Sequence, residues 1–181
     1  VIGPDNPNIE GIDERVGDGD EVRIMGRLFD VMATPGHTLD HISYFTAGIP
    51  ALLFCGDTLF CAGCGRLFEG TPEQMYTALK QFAELPEDTL VFAAHEYTQA
   101  NLTFARAADP DNDDVKYALQ ECEKARALDR PTLPSTIGRE LTINPYLRVS
   151  TESVRQAAGA QGANDTDLAT FTTLREWKNR F

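Results

Sequence analysis

A chain of 181 residues fits one ordinary domain, or one with a small appendage, and its 42% apolar content suffices for a real core. With 16 basic against 28 acidic residues, a net charge of −12 and a pI near 4.6, the composition argues against nucleic acid and anionic membrane as general partners, while leaving room for a small anion held by a few local cations. Cys55, Cys61, Cys64 and Cys122 show no disulfide spacing, no stretch is long enough to span a membrane, and no signal peptide is visible; a reducing compartment is expected, cytoplasmic or organellar.

The chain opens on Val1 rather than Met, so part of the natural product is expected to lie outside it. Residues 1–19 are rich in Gly, Pro, Asp and Asn and read as a loop running into a hairpin. Glu21 to Ile24 and Arg27 to Met32 read as short strands around a Met25-Gly26 turn. Pro35-Gly36 stops the second, and His37 follows at once. His41 to Thr46 reads as the next strand. Ala51 to Cys55 is an apolar run closed by Gly56-Asp57 and reads as a buried strand with a carboxylate at its C-terminal end. A buried carboxylate needs a cation or hydrogen bonds.

Cys61 to Gly70 reads as a glycine-rich loop carrying Arg66. Thr71-Pro72-Glu73-Gln74 reads as a helix start: Thr71 the N-cap, Pro72 the first helical residue, Gln74 the partner in a capping box. Met75, Leu79 and Phe82 mark one face of that helix, which ends before Pro86. Thr89 to Ala94 reads as a strand running into His95-Glu96-Tyr97-Thr98. Beyond Thr98 the pattern turns helical, over residues 101–108, 115–128, 150–158 and 165–181, with Arg130 to Pro134 as a stiff connector. The reading is a mixed α/β part, residues 1–98, followed by a helical part, residues 99–181.

Chemistry concentrates in few residues. The only histidines are His37, His41 and His95. His37, Asp57 and His95 each follow the C-terminal end of an apolar strand. If those strands share a sheet and end on one edge, two imidazoles and a carboxylate converge, the ligand types of a catalytic metal site. Each alone reads as an ordinary loop residue; together, in a chain so poor in histidine, they read as metal ligands. His41 reads as a strand residue that packs or hydrogen-bonds locally. Cys61-x-x-Cys64 lacks a second pair and reads as small residues in a tight loop. Arg175 and Lys178, three apart on the last helix, share a face: either a solvated basic edge or a carboxylate-binding pair.

Thr34-Pro-Gly-His37-Thr-Leu-Asp-His41, Phe54-Cys-Gly-Asp-Thr-Leu-Phe60, Gly63-Cys-Gly-Arg-Leu-Phe-Glu-Gly70 and Ala94-His-Glu-Tyr-Thr98 resemble the signature blocks of glyoxalase II, the hydroxyacylglutathione hydrolases of the metallo-β-lactamase fold. Pro134-Ser-Thr136 and Asn144-Pro-Tyr-Leu-Arg148 resemble blocks of that family's C-terminal helical domain. The resemblance implies an αββα sandwich of the α/β (α+β) class, incomplete at the N-terminus with apolar strand surface exposed, plus a helical domain. It implies two divalent metals, zinc first with iron or manganese as alternatives, with His37 on one, His95 on the other, and Asp57 bridging. It implies thioester hydrolysis of S-D-lactoylglutathione to D-lactate and glutathione by a metal-bound hydroxide, in a monomer. Arg66, Tyr97, Arg175 and Lys178 would bind the glutathione moiety, and Phe68 stands where some members have tyrosine. Asp40 replaces a small residue.

The family's Thr-His-x-His-x-Asp-His block does not occur in this sequence, so the resemblance implies a missing N-terminal segment and a weak or inactive chain. Two alternatives are a non-enzymatic protein that binds glutathione or metal, and a mono-iron enzyme like the persulfide dioxygenases. The helices after Thr98 and the Arg175/Lys178 pair weigh against the second.

Overall fold

A computed structural model describes residues 1–181. The strands are β1 (Ile2–Pro4), β2 (Glu14–Val16), β3 (Glu21–Ile24), β4 (Arg27–Ala33), β5 (Ile42–Thr46), β6 (Leu52–Gly56), β7 (Leu59–Phe60), β8 (Gly63–Cys64), β9 (Leu90–Ala93) and β10 (Ser135–Thr136). The helices are α1 (Pro72–Ala83), α2 (Thr98–Ala108), α3 (Asp113–Ala127), α4 (Ile137–Ile143), α5 (Glu152–Gly159) and α6 (Asp167–Arg180). No helix is long and apolar enough to cross a membrane.

Six strands form one sheet in the order β10-β9-β6-β5-β4-β3. β3 to β6 form an antiparallel meander, and β9 lies parallel to β6 after the α1 crossover. The β3–β4 turn is Met25-Gly26, both with φ near the left-handed region, 50° and 84°, as a two-residue hairpin of this twist requires. β4 and β6 are both antiparallel to β5, so they point the same way, and β9 points with them. Their C-terminal ends, and the N-terminal start of β5, therefore share one edge of the sheet.

α1 starts as its sequence dictates. The Thr71 hydroxyl accepts from the Gln74 amide, the Gln74 side chain accepts from the Thr71 amide, and Pro72 occupies the first turn. Its buried face of Met75, Leu79 and Phe82 packs on Phe45, Leu53, Cys55 and Val91 of the sheet. Phe104, Tyr146, Phe171 and Leu174 from the helical half join the same core.

The opposite sheet face carries Val31, Tyr44, Phe54 and Phe92 in one cross-strand row. Val16 and Ile2 cover it near Val22 and Phe29, but Phe54 is 41% exposed, stacked on Phe92 at 5.1 Å. The run 51–55 is thus buried on one side only, by the alternation any strand imposes.

Four other expectations need correction. β1 and β2 pair in parallel inside the segment read as a loop. The glycine-rich loop begins with a hairpin, β7–β8, turned by Ala62 at φ 54°. Strands do not end at Thr98, because β10 pairs with β9. α4, capped by the Thr136 hydroxyl, follows the Arg130–Pro134 connector.

The helical half is fastened to the β7–β8 hairpin through a fully buried carboxylate. Glu140 on α4 accepts from the Ala62 amide at 2.8 Å, from Asn144 Nδ2 at 2.9 Å and from Ser135 Oγ at 2.5 Å. Burial pushes its carboxyl upward, against the hydrogen bonds from Ser135, Asn144 and Ala62 that hold it down. Asp40 has a role as well: its carboxylate accepts from Asn6 at 2.7 Å and ties the N-terminal segment to the turn that carries His37.

Candidate active site

The shared edge assembles the three expected side chains as neighbours of unequal closeness. Asp57 follows β6 and His95 follows the adjacent β9, so Asp57 Oδ1 and His95 Nε2 lie 3.5 Å apart. His37 lies past β4, two strands from β6. Its Nδ1 bonds the Arg66 carbonyl at 2.8 Å. A carbonyl only accepts, so the proton sits on Nδ1 and Nε2 keeps a free lone pair. No three His, Cys, Asp or Glu side chains gather into a metal-binding group. The expected convergence is therefore partial, because β5 separates His37 from the Asp57–His95 pair.

The residue in that gap is His41, for which the sequence suggested only local packing or hydrogen bonding. It stands just before β5, at the site edge rather than mid-strand. The Asp57 amide donates to its Nε2 at 3.1 Å. Its Nδ1 lies 2.9 Å from Thr34 Oγ1 and 3.1 Å from Thr58 Oγ1. Burial, then the charge of His37, lowers its pKa. The signal was available: a strand antiparallel to both neighbours begins where they end.

Backbone packing holds the edge with little slack. The Phe68 and Glu69 amides donate to the His37 carbonyl and the Gly70 amide to that of Gly36. A Cβ on Gly70 would stand 2.6 Å from Gly36 Cα. The Gly65 amide donates to the Thr58 carbonyl at 3.1 Å, and a Cβ there would stand 1.9 Å from the Asp57 carbonyl oxygen. These contacts require glycine.

Beside the edge is a cavity of about 200 Å³ lined by Phe60, Arg66, Tyr97, Asn101, Arg175 and Lys178. Tyr97 stacks on His95 at 5.0 Å and meets Phe60 at 5.3 Å, so cavity and donor edge share a wall. Arg66 is exposed and Lys178 half-buried, with Nζ 2.9 Å from the Ala100 carbonyl. Burial, then the charge of Arg175, lowers the Lys178 pKa.

Arg175 differs from its expected partner. It is 7% exposed, its Nη1 donates to the Cys64 carbonyl at 2.9 Å, and its plane lies over Tyr146. It pins the β8 end of the loop that carries Arg66. Both side chains line the cavity, but unequally: Arg175 is buried against backbone carbonyls, and Lys178 is half-buried. Phe68 is 68% exposed at the rim, its ring 4.8 Å from that of His37. All four cysteines are free and buried. Burial pushes the Cys55 thiol up to about 12 and those of Cys61 and Cys64 up as well, so none is a ready thiolate.

A mixed sheet with His and Asp donors at one edge defines a class, and comparison supports it: residues 3–95 match the metallo-beta-lactamase superfamily. Fold neighbours include ETHE1 from Myxococcus xanthus, at TM-score 0.57 and 25% identity over 98% of this chain and 65% of that one. They also include the BLEG-1 B3 metallo-beta-lactamase, at TM-score 0.51 and 24% identity over 75% of this chain and 49% of that one, a likeness of fold alone. Residues 96–181 match the hydroxyacylglutathione hydrolase C-terminus. A hydroxyacylglutathione hydrolase of Chromohalobacter salexigens is 62% identical over 181 residues, and one of Pseudomonas entomophila 51% over 184; each covers all of this chain, which spans 71% of the relative. The chain belongs to the hydroxyacylglutathione hydrolase family.

Membership implies a divalent metal, and the donors fit one in kind. His37 has its second nitrogen fixed by a carbonyl, as metal-bound histidines do, and Asp57 and His95 already face one another. They are few, and they do not close around one point.

Proposed function

We propose that this chain serves the hydrolysis of S-D-lactoylglutathione and related 2-hydroxyacylglutathiones to the hydroxy acid and glutathione. The observation that carries the reading is the shared wall: the His95–Tyr97 stack joins the donor edge to a basic, aromatic cavity in an otherwise acidic protein. The match of residues 96–181 to the hydrolase C-terminus supports the hydrolase over a persulfide dioxygenase-like or purely binding protein.

Water adds across the thioester, the acyl carbon gaining hydroxyl and the sulfur leaving as the thiol. His37, Asp57 and His95 would hold divalent metal, and imidazole and carboxylate donors suit zinc, iron or manganese. Metal bound there supplies Lewis acidity and lowers the pKa of a coordinated water toward neutrality. The chain's own residues do the rest. Arg66 and Lys178 take the carboxylates of the tripeptide, Tyr97 offers a ring wall and a hydroxyl, and Arg175 holds the Arg66 loop through backbone carbonyls. Phe68 closes the rim over His37.

Calorimetric titration of the 181-residue chain with glutathione tests the cavity directly. Arg66→Ala and Lys178→Ala are each expected to weaken binding about tenfold, the loss of one charge-assisted hydrogen bond. Affinity unchanged by both substitutions would remove the assignment.

A further inference from the structure

We propose that His41 is a positioning residue: a neutral imidazole brace that fixes the backbone of Asp57 and so aims its carboxylate at His95. The inference rests on the reading of Asp57 as a metal ligand, but its geometry stands apart from that reading.

An amide nitrogen donates and never accepts. The 3.1 Å bond from the Asp57 amide therefore requires a lone pair on His41 Nε2 and puts the ring proton on Nδ1. Nδ1 faces two hydroxyls that exclude solvent, those of Thr34 and Thr58, both fully buried. Thr58 Oγ1 can donate to the Thr34 carbonyl at 3.4 Å, leaving a lone pair for the Nδ1 proton. Thr34 Oγ1 can donate onward to Ser43 Oγ at 2.9 Å. Every donor from the Asp57 amide to the Thr34 hydroxyl then has an acceptor, and the Asp57 amide fixes the tautomer.

A second observation concerns the room that the ring needs. Gly56, at φ 52°, directly precedes Asp57, and a Cβ there would stand 2.6 Å from His41 Nε2 and 2.9 Å from Cε1. The position demands glycine twice over, for its backbone and for the imidazole lying against it. The ring thus spans the ends of three strands: Thr34 after β4, His41 before β5, and Asp57 after β6. Asp57 needs such a brace because it sits where the ladder stops. Its neighbour Thr58 turns back to the Cys55 carbonyl, so no strand partner fixes the Asp57 amide.

The test uses the 181-residue chain and three variants: His41→Phe keeps a ring without an acceptor, His41→Gln restores an acceptor, and Gly56→Ala displaces the ring. Nitrogen-15 NMR of the unaltered chain is expected to show scalar coupling through the hydrogen bond between the Asp57 amide and His41 Nε2, with ring shifts of the Nδ1-protonated tautomer. Cobalt(II) titration, read by visible absorption, is expected to show about tenfold or greater loss of affinity in His41→Phe and Gly56→Ala, with partial recovery in His41→Gln. Absence of the coupling, or cobalt affinity unchanged in His41→Phe, overturns the proposal. A structural role alone would lower the melting temperature of His41→Gln and His41→Phe alike without restoring cobalt in the former, and that pattern also overturns it. Failure of the unaltered chain to take cobalt overturns the metal reading instead, and the coupling then decides the brace by itself.

Discussion

Gly65→Ala is expected to destabilise the chain by about 3 kcal/mol or more, a drop of roughly 6–12 °C in melting temperature. The new Cβ would stand 1.9 Å from the Asp57 carbonyl oxygen, a backbone atom that no rotamer change can move away. The hairpin β7–β8 must then part from the end of β6, breaking the bond from the Gly65 amide to the Thr58 carbonyl. Arg66 is the next residue, so the same displacement is expected to weaken glutathione binding. Gly159→Ala is the control: a Cβ there meets nothing within 4 Å, at the end of α5, and is expected to be neutral or mildly stabilising. Thermal unfolding followed by circular dichroism checks both. A Gly65→Ala chain that melts with the parent would mean that the hairpin does not sit against Asp57 as described.

The second large effect is expected at Glu140. Glu140→Ala leaves the Ala62 amide and the Ser135 hydroxyl without their buried acceptor, removes one of the three acceptors of Asn144 Nδ2 and opens a cavity, a combined loss of about 3 kcal/mol. Glu140→Gln is expected to keep the fold, because its carbonyl can serve Ala62 and Asn144 while its amide donates to Ser135. The pH dependence follows from the raised carboxyl. A folded pKa above the ordinary 4.5 means that the fold favours the protonated acid. That contribution is fully present below 4.5 and is lost as pH rises through the folded value. Urea unfolding across pH 4 to 8 is expected to show stability falling faster with pH in the parent than in Glu140→Gln. Parallel curves would mean that the carboxyl ionises in the fold as easily as out of it.

Local chemistry made much of this legible. The α1 start could be read letter by letter, since a capping box and a first-turn proline act within four residues. The strands ending at His37, Asp57 and His95 were visible because each apolar run meets abrupt punctuation. Their common edge followed from topology, an even number of reversals from β4 to β6 and a helical crossover to β9. What stayed hidden depends on distant partners. β10 is two residues long and exists only because β9 offers an open side. Ala62 adopts a positive φ because the hairpin demands it, and no side chain advertises that. The Arg175/Lys178 spacing places both on one helical flank, but spacing does not say which cation is drawn inward by the Cys64 carbonyl. His41 looked ordinary because its partner is a backbone amide.

On the proposed reading, these residues carry a glutathione-binding wall and three metal donors, too few to hold two metals firmly. The direct measurement is metal content and S-D-lactoylglutathione hydrolysis on the same preparation of residues 1–181, after saturation with zinc and removal of excess. Fewer than two retained zinc ions, with slow or absent hydrolysis and intact glutathione binding, is the expected result. Two tightly held zinc ions with rapid turnover would contradict it.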